Sequence, residues 1–332
     1  MFRLFLALAV LALASGFGVM PAATRSLARG GMTMAGKYEQ TGGTSPGAGM
    51  KPMADGTFKM AGEHPKEYVL ENDNGARAII RTYGCNTFSY ITKDGIEVMG
   101  TRKDALRDDS KPYAGGAPHC FPQFGPGDLM QHGFARGMEF VPEERAKKLS
   151  FDRMIFKLVP TEATKEVWDY PFEYRVDITL REDCLEWDII LKNTGDKDYS
   201  VTLGMHNYFD ISSLANIKIE GADFKGCETM DRNNGDAIAK SDTDTLTIDR
   251  PVDMLYKKVA GPVSIIDSGK GCITTIERKG FPDTCVWNPV GDEKMGWDNY
   301  VCVEPVMVEP MTIPVGKFKE TNFYQKVSCK KM

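Results

Sequence analysis

Acid-base side chains set inside apolar, strand-like stretches carry most of the chemical content of this chain. Three such stretches occur: Gln131-His132-Gly133-Phe134-Ala135-Arg136, Met205-His206-Asn207-Tyr208-Phe209 and Val301-Cys302-Val303-Glu304-Pro305. Only four histidines are present, at 64, 119, 132 and 206, and two of them fall in these stretches, with a lone carboxylate, Glu304, among hydrophobic residues. Burying an ionisable group costs free energy that a fold has no need to spend, so the pattern points to proton handling on a neutral or anionic small molecule. Taken singly, His206 also reads as a core histidine hydrogen-bonded to backbone, and Glu304 as a strand-end carboxylate in a salt bridge. His64 and His119 carry no argument beyond the loops around them.

The elements that must position these groups are strands. Beyond Tyr68 the chain is a succession of short alternating or β-branched runs at 76–83, 87–91, 154–159, 174–180, 185–192 and 199–205. They continue at 217–220, 245–248, 263–266, 272–278, 284–287, 300–303 and 323–327. Turn signals such as Lys93-Asp94-Gly95 and Asn193-Thr194-Gly195-Asp196 separate them, and helical periodicity is nearly absent. The expected fold is all-β, a large antiparallel β-sandwich. Residues 100–137 interrupt the pattern with a Gly/Pro-rich segment too long for a hairpin, and long loops on a rigid sandwich commonly carry function.

Composition bounds the rest. A charged fraction of 26% and a net charge of −5 supply no basic field for nucleic acid. Residues 1–16 read as a signal peptide, with Arg3 ahead of an apolar run too short to span a membrane. Residues 17–63 read as a transit-like segment, without an acidic residue before Glu39, passing into a Gly/Met-rich flexible tether. The pairing resembles the bipartite plastid presequence of algae with secondary plastids, although Gly16 and Gly18 depart from its junction; plain secretion is the alternative. Residues 64–332 form the expected single domain, with no membrane association once the leader is removed. The eight cysteines include no Cys-x-x-Cys, so most are expected to be buried free thiols, and no metal is expected.

Five motifs in order carry a family resemblance: Gly-Gly-Ala-Pro-x-x-Phe-Pro-x-Phe-Gly from 115, Gln-His-Gly-Phe-Ala-Arg at 131–136, His-x-Tyr-Phe at 206–209, Pro-Asp-Thr-x-Val-Trp-Asn-Pro at 282–289 and Val-Cys-Val-Glu-Pro at 301–305. Together they resemble the glucose-6-phosphate 1-epimerase family, the hexose-6-phosphate mutarotases of the galactose-mutarotase-like sandwich. The resemblance implies interconversion of the α and β anomers of a hexose phosphate without a cofactor, by a monomer. It also implies Glu304 as the base for the anomeric proton and His206 as the acid for the ring oxygen, with Arg136, Gln131 and Asp283 contacting substrate. His132 either touches the sugar or braces its turn. Trp287 and Phe124 are walls of the site or core.

Departures bear on the substrate. The family usually has an arginine before the Gly-Gly pair, where this chain has Ala114; Lys111, Arg102 and Lys103 are the neighbouring cations. Cys120, Asp210 and Val290 also differ from the family pattern. An aldose 1-epimerase acting on free sugars, favoured by Ala114, and a non-catalytic carbohydrate-binding sandwich are the competing expectations.

Overall fold

Alternation of burial along single strands builds the molecule. In Glu320–Lys331 the side chains of Phe323, Gln325, Val327 and Cys329 point inward and those between them stay half-exposed, the period of two that a sheet with one covered face requires. The computed structural model describes residues 50–52, 57–60, 66–316 and 320–332, all within the unit Pro46–Met332.

Two large sheets result. The first has eleven strands in the order Met50–Pro52, Thr57–Met60, Val141–Lys148, Phe151–Leu158, Phe172–Arg181, Cys184–Asn193, Glu320–Lys331, Cys272–Lys279, Val263–Asp267, Ile217–Glu220 and Thr245–Leu246. The second runs Ala237–Lys240, Glu228–Asp231, Val252–Tyr256, Asp283–Asn288, Tyr300–Ile313, Tyr199–Met205 and His119–Cys120, and Tyr208–Asp210 also pairs with Tyr300–Ile313. A third, three-stranded sheet contains Glu67–Glu71, Arg77–Arg81 and Asn86–Ile91. Every ladder between these strands is antiparallel. The all-β expectation is met. The α-helix Glu162–Val167 is a short element between strands, its N-terminal end capped by reciprocal hydrogen bonds between Thr161 and Thr164.

One continuous core joins the inner faces, with Val176, Ile178, Leu185, Trp187 and Ile189 from the first sheet and Leu203, Met205, Val301 and Val303 from the second. A buried amide pair crosses it. Asn207 Nδ2 donates to Gln325 Oε1 at 2.7 Å, and Gln325 Nε2 donates back to Asn207 Oδ1 at 3.2 Å. A satisfied pair of this kind specifies the relative register of two packed sheets, because sliding either one would strand buried donors and acceptors.

Several strands escape the alternating pattern. Val141–Lys148 is not among the expected runs, and its register against Phe151–Leu158 leaves only Pro142 and Ala146 buried. Val252–Tyr256 and Glu228–Asp231 were not anticipated either. The first is flanked by Arg250-Pro251, and the second packs one fully buried residue, Thr229. The signal peptide and most of the tether expected at residues 1–63 lie outside the described residues. Within that stretch Met50–Pro52 and Thr57–Met60 form a hairpin that extends the first sheet through Val141–Lys148. All eight cysteines are free, and only Cys227 is not buried. No helix among the described residues is long and apolar enough to cross a membrane.

Candidate active site

The strand Tyr300–Ile313 has two faces with different fates. Val301, Val303 and Met307 enter the main core, whereas Cys302, Glu304 and Val306 point the other way. Ladder register then extends that outer face across the sheet in rows. Met230, Leu255, Cys285 and Glu304 stand opposite one another on four successive strands. A neighbouring row holds Asp253, Trp287, Cys302 and Tyr208. These rows form the floor of a cleft of about 840 Å³, a size that suits a small ligand. Its walls come from the long loop, through Phe124, Gly125, Pro126, Gln131, His132 and Arg136.

His206 leaves the sheet where Tyr199–Met205 ends. Its N–H donates to the Pro118 carbonyl at 2.9 Å, and Asn207 beside it is pinned into the core by the amide pair, so the imidazole is turned outward over the floor. There it stacks on Tyr208, with ring centroids 4.8 Å apart and planes 11° from parallel, and meets His132 edge-on at 5.1 Å. His206 Nδ1 lies 3.4 Å from Glu304 Oε1. Both residues are buried, at 8% and 1% exposure, so little water competes for the space between them.

Gly204 is the reason the loop can lie so close. A Cβ there would sit 2.9 Å from the Phe124 ring and 2.8 Å from Val306. Gly133 has a similar part in the turn: its φ is +65°, and a Cβ would come within 2.3 Å of the Phe121 carbonyl oxygen. That turn presents His132, which itself has φ +66°. Gly125 N–H donates to His132 Nδ1 at 3.2 Å, so the neutral ring carries its proton on Nε2, which can donate to the neighbouring Gln131 side chain only when the amide turns its oxygen toward the ring. Arg136, on the turn Ala135–Gly137, donates to the Gln131 carbonyl at 2.7 Å.

Burial sets the electrostatics. It pushes the Glu304 carboxyl well above its usual range, helped by the Asp253 charge and opposed by Arg232 and Arg136. It pushes the His206 imidazole well below its usual range, reinforced by His132 and Arg136. Both shifts remove charge, so burial favours the neutral forms of both groups, the carboxyl and the imidazole. His132 is lowered to about 3, first by burial and then by Arg136 and Arg232, and is a neutral hydrogen-bonding group. The Tyr208 hydroxyl is raised by burial and remains a donor.

His206, Glu304, Gln131, His132 and Arg136 therefore converge on one cleft, and Trp287 and Phe124 do line it. Asp283 does not join them. It stands on the next row, opposite Val306, where its carboxylate accepts the Lys258 N–H at 2.9 Å and the Val308 N–H at 3.5 Å. The backbone has taken the acceptors that a sugar would need. Asp253 occupies the cleft instead, 3.5 Å from the guanidinium of Arg232, which lies over the Phe124 ring. The signal for it was a lone carboxylate within Val252-Asp253-Met254-Leu255-Tyr256, the same pattern as Glu304 within Val301–Pro305. His119 is fully buried away from the cleft, with Nδ1 3.1 Å from the Tyr174 hydroxyl. His206, Cys302 and Glu304 bring one possible ligand atom each within 4.8 Å of the others, a donor set of the types that zinc accepts.

A buried carboxyl and an imidazole 3.4 Å apart can take a proton from one oxygen of a bound molecule and give one to another. Known proteins share the scaffold. The profile of the aldose 1-epimerase family matches residues 66–324. A protein of Cenchrus ciliaris bearing the name glucose-6-phosphate 1-epimerase is 30% identical over 275 residues, covering 76% of this chain and 82% of its own. One of the same name from Escherichia coli K12 is 26% identical, covering 80% and 91%. The crystal structure of a mutarotase from Salmonella typhimurium superposes with a TM-score of 0.73 at 20% identity, over 85% of this chain and 97% of its own. A protein of Synechocystis sp. PCC 6803 gives 0.71 at 19%, over 81% and 97%. A sandwich whose outer sheet face holds this cleft, matched along most of its length, places the chain in the aldose 1-epimerase family, as an isomerase of the epimerase type.

Proposed function

We propose that the chain interconverts the α and β anomers of a hexose 6-phosphate, with Glu304 as the base and His206 as the acid. The observation that carries this reading is the 3.4 Å approach of two buried titratable groups on the cleft floor, with arginines among the lining. In the reactive form the carboxyl proton has moved to His206, which leaves Glu304 a carboxylate. Glu304 accepts the proton of the anomeric hydroxyl as the C1–O5 bond breaks, and His206 gives its proton to O5. The product is the open aldehyde. Rotation about C1–C2 presents the other carbonyl face, and return of O5 to C1 with both protons reversed closes the second anomer. Positioned acid-base groups of this kind contribute about 10²–10⁴-fold each. The names of the relatives at 26–30% identity support the phosphorylated substrate.

A free aldose is the second reading, favoured by the absence of a cation at Ala114. Polarimetry on freshly dissolved α-glucose 6-phosphate, beside α-glucose, separates the two. Faster equilibration of the phosphate, abolished by His206→Ala, is the expected result. Acceleration of glucose alone would overturn the phosphate reading, and sugar binding with no acceleration of either would overturn catalysis.

A further inference from the structure

Ladder register gathers an imidazole, a thiol and a carboxyl at one point of the cleft floor. Gly204 stands opposite Val306 and Tyr208 opposite Cys302, so His206, midway between, faces Glu304 on the same partner strand. Cys302 is two residues from Glu304 and shares its outer face. One ligand atom each of His206, Cys302 and Glu304 lies within 4.8 Å of the other two, and no other such trio forms among the described residues.

Acid-base chemistry on a sugar uses two of these groups and leaves the third without a part. Cys302 is fully buried against Tyr208, Tyr300 and Trp287, so a sugar on the floor does not reach its thiol. Two polar atoms of the trio, His206 Nδ1 and Glu304 Oε2, are buried without a hydrogen-bond partner, in side chains that are 8% and 1% exposed. Orphans of this kind are uncommon in folded proteins, and a bound ion is one of the few ways to satisfy them.

Distance and charge decide which ion. Tetrahedral zinc, with bonds of about 2.0–2.2 Å to nitrogen and oxygen, spaces those two ligands about 3.4 Å apart. His206 Nδ1 and Glu304 Oε1 are 3.4 Å apart already. A zinc-bound sulfur, at about 2.3 Å, stands about 3.6 Å from each neighbour, so a shift of at most about 1.2 Å brings the Cys302 thiol into place. A thiolate and a carboxylate cancel the charge of a divalent cation and a neutral imidazole adds none, so the complex is neutral as a whole, as a buried site requires. Magnesium and calcium prefer shells of oxygen and do not suit this donor set.

We infer that His206, Cys302 and Glu304 form a zinc site with its fourth position open to the cleft, and that zinc bound there switches the active site off. Binding releases the thiol and carboxyl protons to solvent, and the metal takes the Glu304 oxygen and the His206 nitrogen lone pair. Neither group can then exchange a proton with a sugar. The site stands on the geometry of the trio; its inhibitory effect rests on the acid-base reading above.

Cobalt is the direct probe, because a thiolate ligand gives its complex a charge-transfer absorption. The full chain, stripped with a chelator and desalted, should develop that absorption with cobalt. Cys302→Ser and Cys302→Ala should lose it and bind zinc at least about tenfold more weakly in titration calorimetry. Cys227→Ser, at the one cysteine that is not buried, should keep both. Where the Cys302 variants fail to fold, His206→Ala removes a different ligand and should weaken zinc to a similar extent. In polarimetry, with buffered free zinc at tenfold its Kd, the parent should slow about tenfold and recover on chelation. Cys302→Ser, referred to its own chelated rate, should slow about twofold at most, and magnesium should slow neither. No absorption in the parent, absorption that survives in Cys302→Ser, or zinc affinity unchanged in the variants overturns the site. Zinc that binds through Cys302 without slowing a chain active after chelation overturns the inhibition. A chain that binds zinc as expected and accelerates no anomer exchange even after chelation upholds the site and overturns the catalytic reading instead.

Discussion

Replacing Glu304 by glutamine separates catalysis from folding in one change. The amide keeps the shape of a side chain that is 1% exposed but cannot accept the anomeric proton. Losing a positioned base removes about 10²–10⁴ from kcat, equivalent to about 3–5 kcal/mol of transition-state stabilisation. The fold should gain. Glu304 Oε2 has no hydrogen-bond partner, and burial holds the carboxyl above its unfolded value of 4.5. A carboxyl raised in the folded state contributes stability that is intact below pH 4.5 and lost as pH rises through the folded value. Glu304→Gln escapes that loss, by on the order of 1–2 kcal/mol, or a few degrees in Tm. The melting difference between variant and parent should be near zero at pH 4.5 and widen toward pH 8. Polarimetry and scanning calorimetry on the same samples read both effects. Activity within tenfold of the parent, or a variant less stable at pH 8 than at pH 4.5 relative to the parent, would refute the reasoning.

Three other outcomes follow from the geometry. Asp253→Asn should raise KM about tenfold through a lost charged acceptor, and should shift the alkaline limb of the pH–rate profile to lower pH, because the Asp253 charge is one cause of the raised Glu304 carboxyl; stopped-flow polarimetry across pH 5–9 reads both. Burial lowers His119 to about 3, so its contribution to stability is intact above the unfolded value of 6.5 and is lost as pH falls toward 3. Between pH 7 and 5 the parent should lose about 2 kcal/mol more than His119→Phe in urea unfolding, and equal losses would show that His119 titrates normally. Gly133→Ala, forced against the Phe121 carbonyl at φ +65°, should cost roughly 1–3 kcal/mol and raise KM by displacing His132, a pairing that urea unfolding and steady-state kinetics test together.

Strand placement was legible where one face is buried and the other is not. Tyr199–Met205 and Ile217–Glu220 have the limits that their alternation indicates. It was not legible where neighbours decide. Val141–Lys148 carries five charges in eight residues and becomes a strand because Phe151–Leu158 offers it a ladder, not through any pattern of its own. Tyr300–Ile313 continues ten residues beyond its apolar start for the same reason, paired with Tyr199–Met205 and Asp283–Asn288.

By itself the sequence determined the architecture and singled out His206 and Glu304, which the fold brings within 3.4 Å of each other. Period-two burial admits only sheets, and an ionisable residue in an apolar strand is conspicuous without coordinates. Which aspartate lines the cleft was decided by the tertiary structure. Asp283 and Asp253 both sit on the outer face of the second sheet, one residue type in two apolar strands. Only ladder register and the covering loop send Asp283 to the backbone N–H groups of Lys258 and Val308 and leave Asp253 open to the cleft.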